Sequence, residues 1–305
     1  MSGRPVLGVD VGGTTFTIAL CEPDGRVRAA ADEAMPVHMT PAAAMKTIAA
    51  SARELAERAG VEMANLSGVG IEVPGHVDVE HGVARLAPNL PGWRDVPVRD
   101  IVTETLGVPV AVEHDVRMAA LAEARVGAGR GVSSFVCVTV GTGIGAAIVL
   151  DGRLYRGASD AAGEFGHLPV PGGDAPCGCG RHGCLETVAS GRAIASMGGA
   201  RRTARDVFAA AAAGDPVCAR VVADAIAALA HGLTVLVNVL NPAVIAVGGG
   251  VAEAGAALLD PLRAAVRASA WKPGADAVRI VPAALGTRAG AIGAALHVAE
   301  VFRAC

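Results

Sequence analysis

The chain has 305 residues, is 52% hydrophobic and 18% charged, and carries a formal net charge of −3. Low hydrophobicity with high net charge, the signature of disorder, is absent, and the near-neutral balance gives no basic face for nucleic acid. Mean hydropathy is +0.47, but Ala and Gly raise it, and the longest apolar candidate, Gly232 to Val247, is broken by Asn238, Asn241 and Pro242, so no membrane span of about 18 residues is expected.

In chain order, Pro5 to Val11 reads as a buried strand that ends in Gly12-Gly13-Thr14-Thr15. Phe16 to Cys21 is a second strand, a Glu22-Pro23-Asp24-Gly25 turn follows, and Arg26 to Ala34 alternates as a third. Thr40 is a plausible N-cap for a helix from Pro41 to Ala59. Leu66 to Val73 is a strand closing at Pro74-Gly75, Val98 to Leu106 a helix, Val108 to Glu113 a buried strand, and Asp115 to Val126 an Ala-rich helix.

The pattern then restarts. Ser134 to Val140 is a strand, Gly141-Thr142-Gly143-Ile144-Gly145 a turn, Ala146 to Leu150 a strand, and Asp151-Gly152 a hairpin before Arg153 to Arg156. Helices are expected over Thr203 to Ala213, Pro216 to Leu240, Gly255 to Ala270 and Gly290 to Phe302. Strands are expected over Pro242 to Val247, closing at Gly248-Gly249-Gly250, and over Val278 to Pro282. The recurrence of one strand–turn–strand unit about 130 residues on suggests an α/β chain of two related halves with a cleft between them.

Four segments carry chemistry. The glycine turns Gly12 to Thr15 and Gly141 to Gly145 expose backbone N–H groups with little side-chain bulk, a device that closes around phosphate oxygens. They also serve as plain hairpin turns, and neither is a Walker A loop or a dinucleotide fingerprint. Asp10, at the first strand's end, either holds Mg²⁺ through water or bonds the turn.

The second segment is Cys177-Gly178-Cys179-Gly180-Arg181-His182-Gly183-Cys184, with His167 upstream. Three thiols in one glycine-rich loop, with His167 or His182 as the fourth donor, suit a closed tetrahedral Zn²⁺ site of structural type, fixing Glu164, His167 and Glu186 around one knot. The count of seven cysteines is odd, which argues against a disulfide framework. Cys21, Cys137, Cys218 and Cys305 receive no role.

Glu113-His114-Asp115 ends a buried strand just before a helix, where ligands bind in α/β folds. Asp115 there is either a general base or an N-cap. Finally, Asn89, in Pro88-Asn89-Leu90-Pro91, offers a rigid loop amide to a polyol, or is an ordinary surface turn.

Taken together, Asp10-Val11-Gly12-Gly13-Thr14, Val73-Pro74-Gly75, Pro88 to Trp93, Glu113-His114-Asp115, Gly141 to Gly145, Gly163-Glu164-Phe165-Gly166-His167, Cys177 to Glu186 and Gly248 to Gly250 resemble the ROK family of sugar kinases, in family order over nearly the whole chain. The resemblance implies the two-domain, ribonuclease H-like fold of the actin-like ATPases, with a duplicated mixed-sheet core and an interdomain cleft. We place the smaller domain at 1–115 plus 288–305 and the larger, with the zinc loop, at 116–287. It implies ATP-dependent phosphorylation of a hexose hydroxyl, O6 by default and glucose by default, with Asp115 as base. Gly75, Asn89, His114, Glu164, His167 and Glu186 would contact substrate. Gly12, Gly13, Thr14, Thr15, Gly141, Thr142, Gly143, Gly248, Gly249 and Gly250 would hold ATP. Mg²⁺ would accompany the nucleotide, with Asp10 as its candidate carboxylate. His167, Cys177, Cys179 and Cys184 would bind zinc.

The resemblance also implies a cytoplasmic homodimer or homotetramer acting on a small sugar or cyclitol, with neither nucleic-acid nor membrane partners. Its repressors carry an N-terminal helix-turn-helix; here the first phosphate strand begins at residue 5, leaving no room for one. Three departures bear on the acceptor. His114 stands where the family has Asn, Glu72 where a small residue is usual, and Asp160 where Gly is common. They keep open an N-acylhexosamine, another hexose or a C7-cyclitol as acceptor. Two rival classes are a non-catalytic sugar-sensing regulator, which loss of Asp115 would favour, and a zinc hydrolase, which needs an open metal position.

Overall fold

The computed structural model describes residues 3–87 and 89–302; Pro88 of the loop motif and Cys305 lie outside them. The elements in order are β1 (Val6–Val11), β2 (Thr15–Cys21), β3 (Val27–Ala34), α1 (Pro41–Arg58), β4 (Val69–Val73), β5 (His76–Asp78), β6 (Val83–Leu86), β7 (Arg94–Val96), α2 (Val98–Leu106), β8 (Val110–His114) and α3 (Asp115–Val126). There follow β9 (Phe135–Val140), β10 (Ile144–Leu150), β11 (Arg153–Tyr155), α4 (Glu186–Ala189), α5 (Gly191–Met197), α6 (Ala204–Ala212) and α7 (Pro216–Leu240). The chain closes with β12 (Val244–Gly248), α8 (Ala256–Ser269), α9 (Lys272–Ala277), β13 (Arg279–Pro282) and α10 (Ala289–Val301).

The chain folds as two compact units, Met1–Val126 with Thr287–Cys305, and Gly127–Gly286. The sequence reading put the break at residue 115; in the fold α3 goes with the first unit because it packs along α10.

Each unit is built on a five-stranded mixed sheet, β3-β2-β1-β4-β8 in the first and β11-β10-β9-β12-β13 in the second. In both, the first strand pairs antiparallel with the second and parallel with a later one. The duplication read from two glycine turns is therefore a duplication of strand order. The first unit adds a small sheet, β5-β6-β7, with no counterpart among the described residues of the second.

Local signals set the helix ends. The Thr40 hydroxyl accepts the Ala43 N–H, and Pro41 opens α1 where its missing donor costs nothing. Helix α2 stops at Gly107, whose φ of 70° is left-handed. Asp215 caps α7 through the N–H groups of Val217 and Cys218, and Asn241 ends it. Helix α7 is long and apolar enough, by length and composition, to cross a membrane; in the fold it packs one face, including Val221, Ala225, Leu229, Leu233 and Val237, into the core of the second unit.

Helix α10 is placed by glycines. Gly8 and Gly70 stand opposite each other on β1 and β4. A Cβ on either would run into the α10 backbone at Ala291 or Ala294, and one on Gly293 into Met118 of α3. These close approaches seat α10 between the sheet and α3 and bring its first turn to the C-terminal ends of β1 and β4.

Candidate functional site

In the first unit the site gathers at the C-terminal ends of the parallel strands. The turn after β1 is closed by the Gly12 N–H donating to the Thr15 carbonyl at 3.0 Å. Gly13 lies against the Asn89 backbone, where an added Cβ would sit 3.3 Å from the Asn89 carbonyl oxygen. The turn and the exposed Asn89 loop are therefore neighbours. Gly75, with φ of 87°, turns the chain out of β4.

Parallel pairing aligns Asp10 with Glu72 and Glu72 with Glu113, placing three carboxylates in a row across β1, β4 and β8. Their partners differ. The Glu113 Oε1 accepts from Arg117 Nη1 at 3.1 Å and from the His114 backbone N–H at 2.9 Å, a buried ion pair. Glu72 is buried, and its Oε2 has no hydrogen-bond partner among the described residues. Burial, reinforced by the Asp10 charge, pushes the Glu72 carboxyl well above its ordinary range. Asp10 is also raised, first by desolvation, against a hydrogen bond from Glu72 that lowers it. Two facing carboxyls favour one proton between them, with Glu72, the more strongly raised of the two, as the donor to Asp10. The pair lies against Gly290 in the first turn of α10, where a Cβ would collide with Glu72 and come within 2.9 Å of the Asp10 Oδ2.

Asp115 opens α3 and is partly exposed. Its Oδ1 accepts the Val116 N–H at 2.7 Å and lies 3.1 Å from His114 Nδ1, while no bond is recorded to Oδ2 among the described residues. An N-cap side chain accepts from the N–H two or three residues on; Asp115 does not, so capping fails to account for it. Asp160, exposed in the second unit, has φ of 55°. That left-handed backbone is the physical reason Gly suits the position, and Asp tolerates it.

The second unit carries the other set. The Gly141 N–H donates to the Gly143 carbonyl at 2.9 Å, closing the turn between β9 and β10. The Gly141 carbonyl accepts the Gly191 N–H at 2.7 Å, tying the turn to the start of α5. Gly249, with φ of 84°, packs so close to β9 that a Cβ would fall 2.5 Å from the Val140 carbonyl oxygen. Gly248 to Gly250 and Gly141 to Gly143 thus form one glycine-lined edge.

The ligand atoms of His167, Cys177, Cys179 and Cys184 lie within 4.8 Å of one another. His167 Nδ1 is 3.6 Å from Cys177 Sγ, and Cys179 Sγ is 3.7 Å from Cys184 Sγ. His182 is exposed, pinned by a bridge from its backbone to Pro176, and lies outside the cluster. Desolvation pushes the Cys177 thiol up to about 12, while the Arg181 backbone N–H lowers Cys179. Three thiols and an imidazole converging on one point are a donor set that fits Zn²⁺. Glu186 joins this knot to the glycine turn: its Oε1 accepts from Cys177 at 3.1 Å, and its Oε2 would sit 3.0 Å from a Cβ on Gly143. Glu164 Oε2 lies 3.8 Å from His167 Nε2.

The sequence reading did not bring out the Glu113–Arg117 pair or the proton shared by Asp10 and Glu72. The i, i+4 spacing of Glu113 and Arg117 was a visible signal, but it spans a strand end and a helix start. Cys21, Cys137 and Cys218 are buried and remain without a role.

A family model described as "ROK family" matches residues 6–301. The chain is 37% identical to a glucokinase of Halalkalibacterium halodurans, over 96% of this chain and 94% of that one. A ROK hexokinase structure from Thermus thermophilus matches with TM-score 0.85 and 35% identity, covering 99% and 100% of the two chains. A ROK family glucokinase from Streptomyces griseus, solved in complex with glucose and AMPPNP, matches with TM-score 0.80 and 32% identity over 99% and 100%.

Proposed function

The chain belongs to the ROK family, and from that membership we propose an ATP-dependent sugar kinase that phosphorylates glucose at O6. The observation that supports it most is the repetition of one backbone device: the first strand of each five-stranded sheet ends in a glycine turn closed on its own carbonyl. Such turns offer N–H donors to phosphate oxygens without needing a basic surface, in keeping with a net charge of −3.

Asp115 is the base. Its Oδ2 takes the proton of the attacking hydroxyl as the freed oxygen pair bonds the γ-phosphorus and ADP leaves. Asn89, Gly75, His114, Glu164, His167 and Glu186 contact the acceptor. Gly12 to Thr15, Gly141 to Gly143 and Gly248 to Gly250 hold the nucleotide. Mg²⁺ supplies charge neutralisation at the phosphates, and Asp10, ionised beside a neutral Glu72, is the carboxylate suited to hold it through water. Zn²⁺ on His167, Cys177, Cys179 and Cys184 is structural: four protein donors leave no position for an activated water. That argues against a hydrolase. The enzyme acts in the cytoplasm as a homodimer or homotetramer, without membrane or nucleic-acid partners.

The test is ADP formation by the purified protein with Mg-ATP and a panel of hexoses, N-acylhexosamines and cyclitols. Glucose should be the preferred acceptor, and a better cyclitol or amino sugar would reassign it within the kinase class. Asp115→Ala should lower turnover by about 10³-fold or more with the fold intact. No ADP with any acceptor would leave a sugar-sensing regulator as the better reading.

A further inference from the structure

We propose that His114, besides its contact with the acceptor, acts through Asp115 as a positioning residue, so that the strength of the base follows the charge on this imidazole. The inference rests on the kinase reading for its consequence in turnover, but the coupling itself stands on geometry.

His114 ends β8 and Asp115 begins α3, so the strand-to-helix junction holds two adjacent side chains together. His114 Nδ1 lies 3.1 Å from Asp115 Oδ1, and both side chains are partly open to solvent. Oδ1 also takes the Val116 N–H, which leaves Oδ2 as the oxygen open to a hydroxyl. One oxygen is thus anchored beside the imidazole while the other is not engaged among the described residues.

The remaining charges at this end of the sheet do not substitute for His114. Asp10 on β1 and Glu72 on β4 act on Asp115 through their charge but share one proton between them. Arg117 on α3 is committed to Glu113. Of the other elements packed on β8, strand β5 brings an exposed His76 and an Asp78 held by His81 and Arg85. Helix α2 brings Asp100 and an Arg99 bonded to the Val79 and Glu80 carbonyls. The first turn of α10 is uncharged, with Arg288 at its N-cap and His297 and Glu300 farther along the helix. His114, in contact with Asp115, is able to gain a positive charge near neutral pH.

A neutral His114 adds no charge beside Asp115. An imidazolium 3.1 Å away stabilises the carboxylate and weakens it as a proton acceptor. An amide at this position has no such titration.

Two measurements test the pair. The first compares kcat/KM for wild type and His114→Asn from pH 5.5 to 8.5, each normalised at pH 8.5. Wild type should lose about threefold to tenfold more of its rate on the acid side than the variant. Superimposable profiles would overturn the proposal. The second follows the His114 ring proton by NMR, assigned by its loss in His114→Asn, in wild type and in Asp115→Asn. Its titration midpoint should move to lower pH when the carboxylate 3.1 Å away is removed, and an unmoved midpoint overturns the coupling. The NMR arm needs no turnover, so failure to form ADP counts against the kinase reading, and an unmoved midpoint counts against the pair.

Discussion

Asp10 and Glu72 stand opposite each other on neighbouring parallel strands, and their carboxyls meet against Gly290. Only the absence of a side chain at Gly290 lets a carboxyl as large as that of Glu72 sit there, and the first turn of α10 favours the one negative charge the pair retains. A buried acid that keeps its proton makes stability depend on pH in a defined direction. The Glu72 carboxyl is raised in the folded protein, so its contribution is fully present below the unfolded value of 4.5 and is lost as pH rises through the folded one. Thermal midpoints should therefore fall from mildly acidic to alkaline pH. Glu72→Gln, whose amide donates to Asp10 without titrating, should flatten that fall and melt a few degrees higher at pH 8. Parallel curves for the two proteins would refute the shared proton.

The glycines under α10 make a second, independent prediction. A methyl at Gly70 would enter the space of the Ala294 carbonyl, which is backbone and cannot swing away. Gly70→Ala should lower unfolding free energy in urea by about 3 kcal/mol or more, the upper range of overpacking. Gly131, by contrast, has open space around it and φ of 83°. There Ala should cost only backbone strain, about 1–2 kcal/mol. Equal losses at both positions would mean that the close approach carries no weight.

What the sequence made legible follows from how local each cause is. The two glycine turns, the thiol knot and the cap at Thr40 are written within a few residues, and the structure has each of them. The apolar runs gave the ten strands of the two main sheets to within a few residues. The small sheet went unread because β5 and β7 are only three residues long, too short to show a period of two. The Asp10–Glu72 contact went unread because it depends on the register of β1 against β4, across some sixty residues of chain. The spacing alone left His167 and His182 open as fourth donor because loop curvature decides which ring turns inward; the resemblance implied His167, and it is the His167 ring that lies with the three thiols.

Arg117 supplies a third test close to the site. Its guanidinium is buried against Glu113, in the strand that ends in His114 and Asp115. Arg117→Met keeps the volume but removes the buried cation from beside the Glu113 carboxylate, so it should destabilise by about 3–5 kcal/mol. Chemical denaturation monitored by circular dichroism reads this directly. A loss below about 1 kcal/mol would mean the pair behaves like an exposed one.

The thiol knot gives the last prediction. Cys177, Cys179, Cys184 and His167 converge in a loop with little regular structure of its own, where Gly183 and Gly173 press backbone on backbone. A metal held by four donors across such a loop should contribute much of its stability. Elemental analysis should find about one zinc per chain in the wild-type protein and close to none in Cys184→Ser. His182→Ala should keep its zinc, because the His182 ring lies outside the cluster. Chelation should lower the thermal midpoint. It should also depress turnover beyond the loss of stability, because Glu186 reaches from the knot to Gly143 and Glu164 stands beside His167. Zinc retained in Cys184→Ser, or lost in His182→Ala, would mean that the metal is held by a different set of donors.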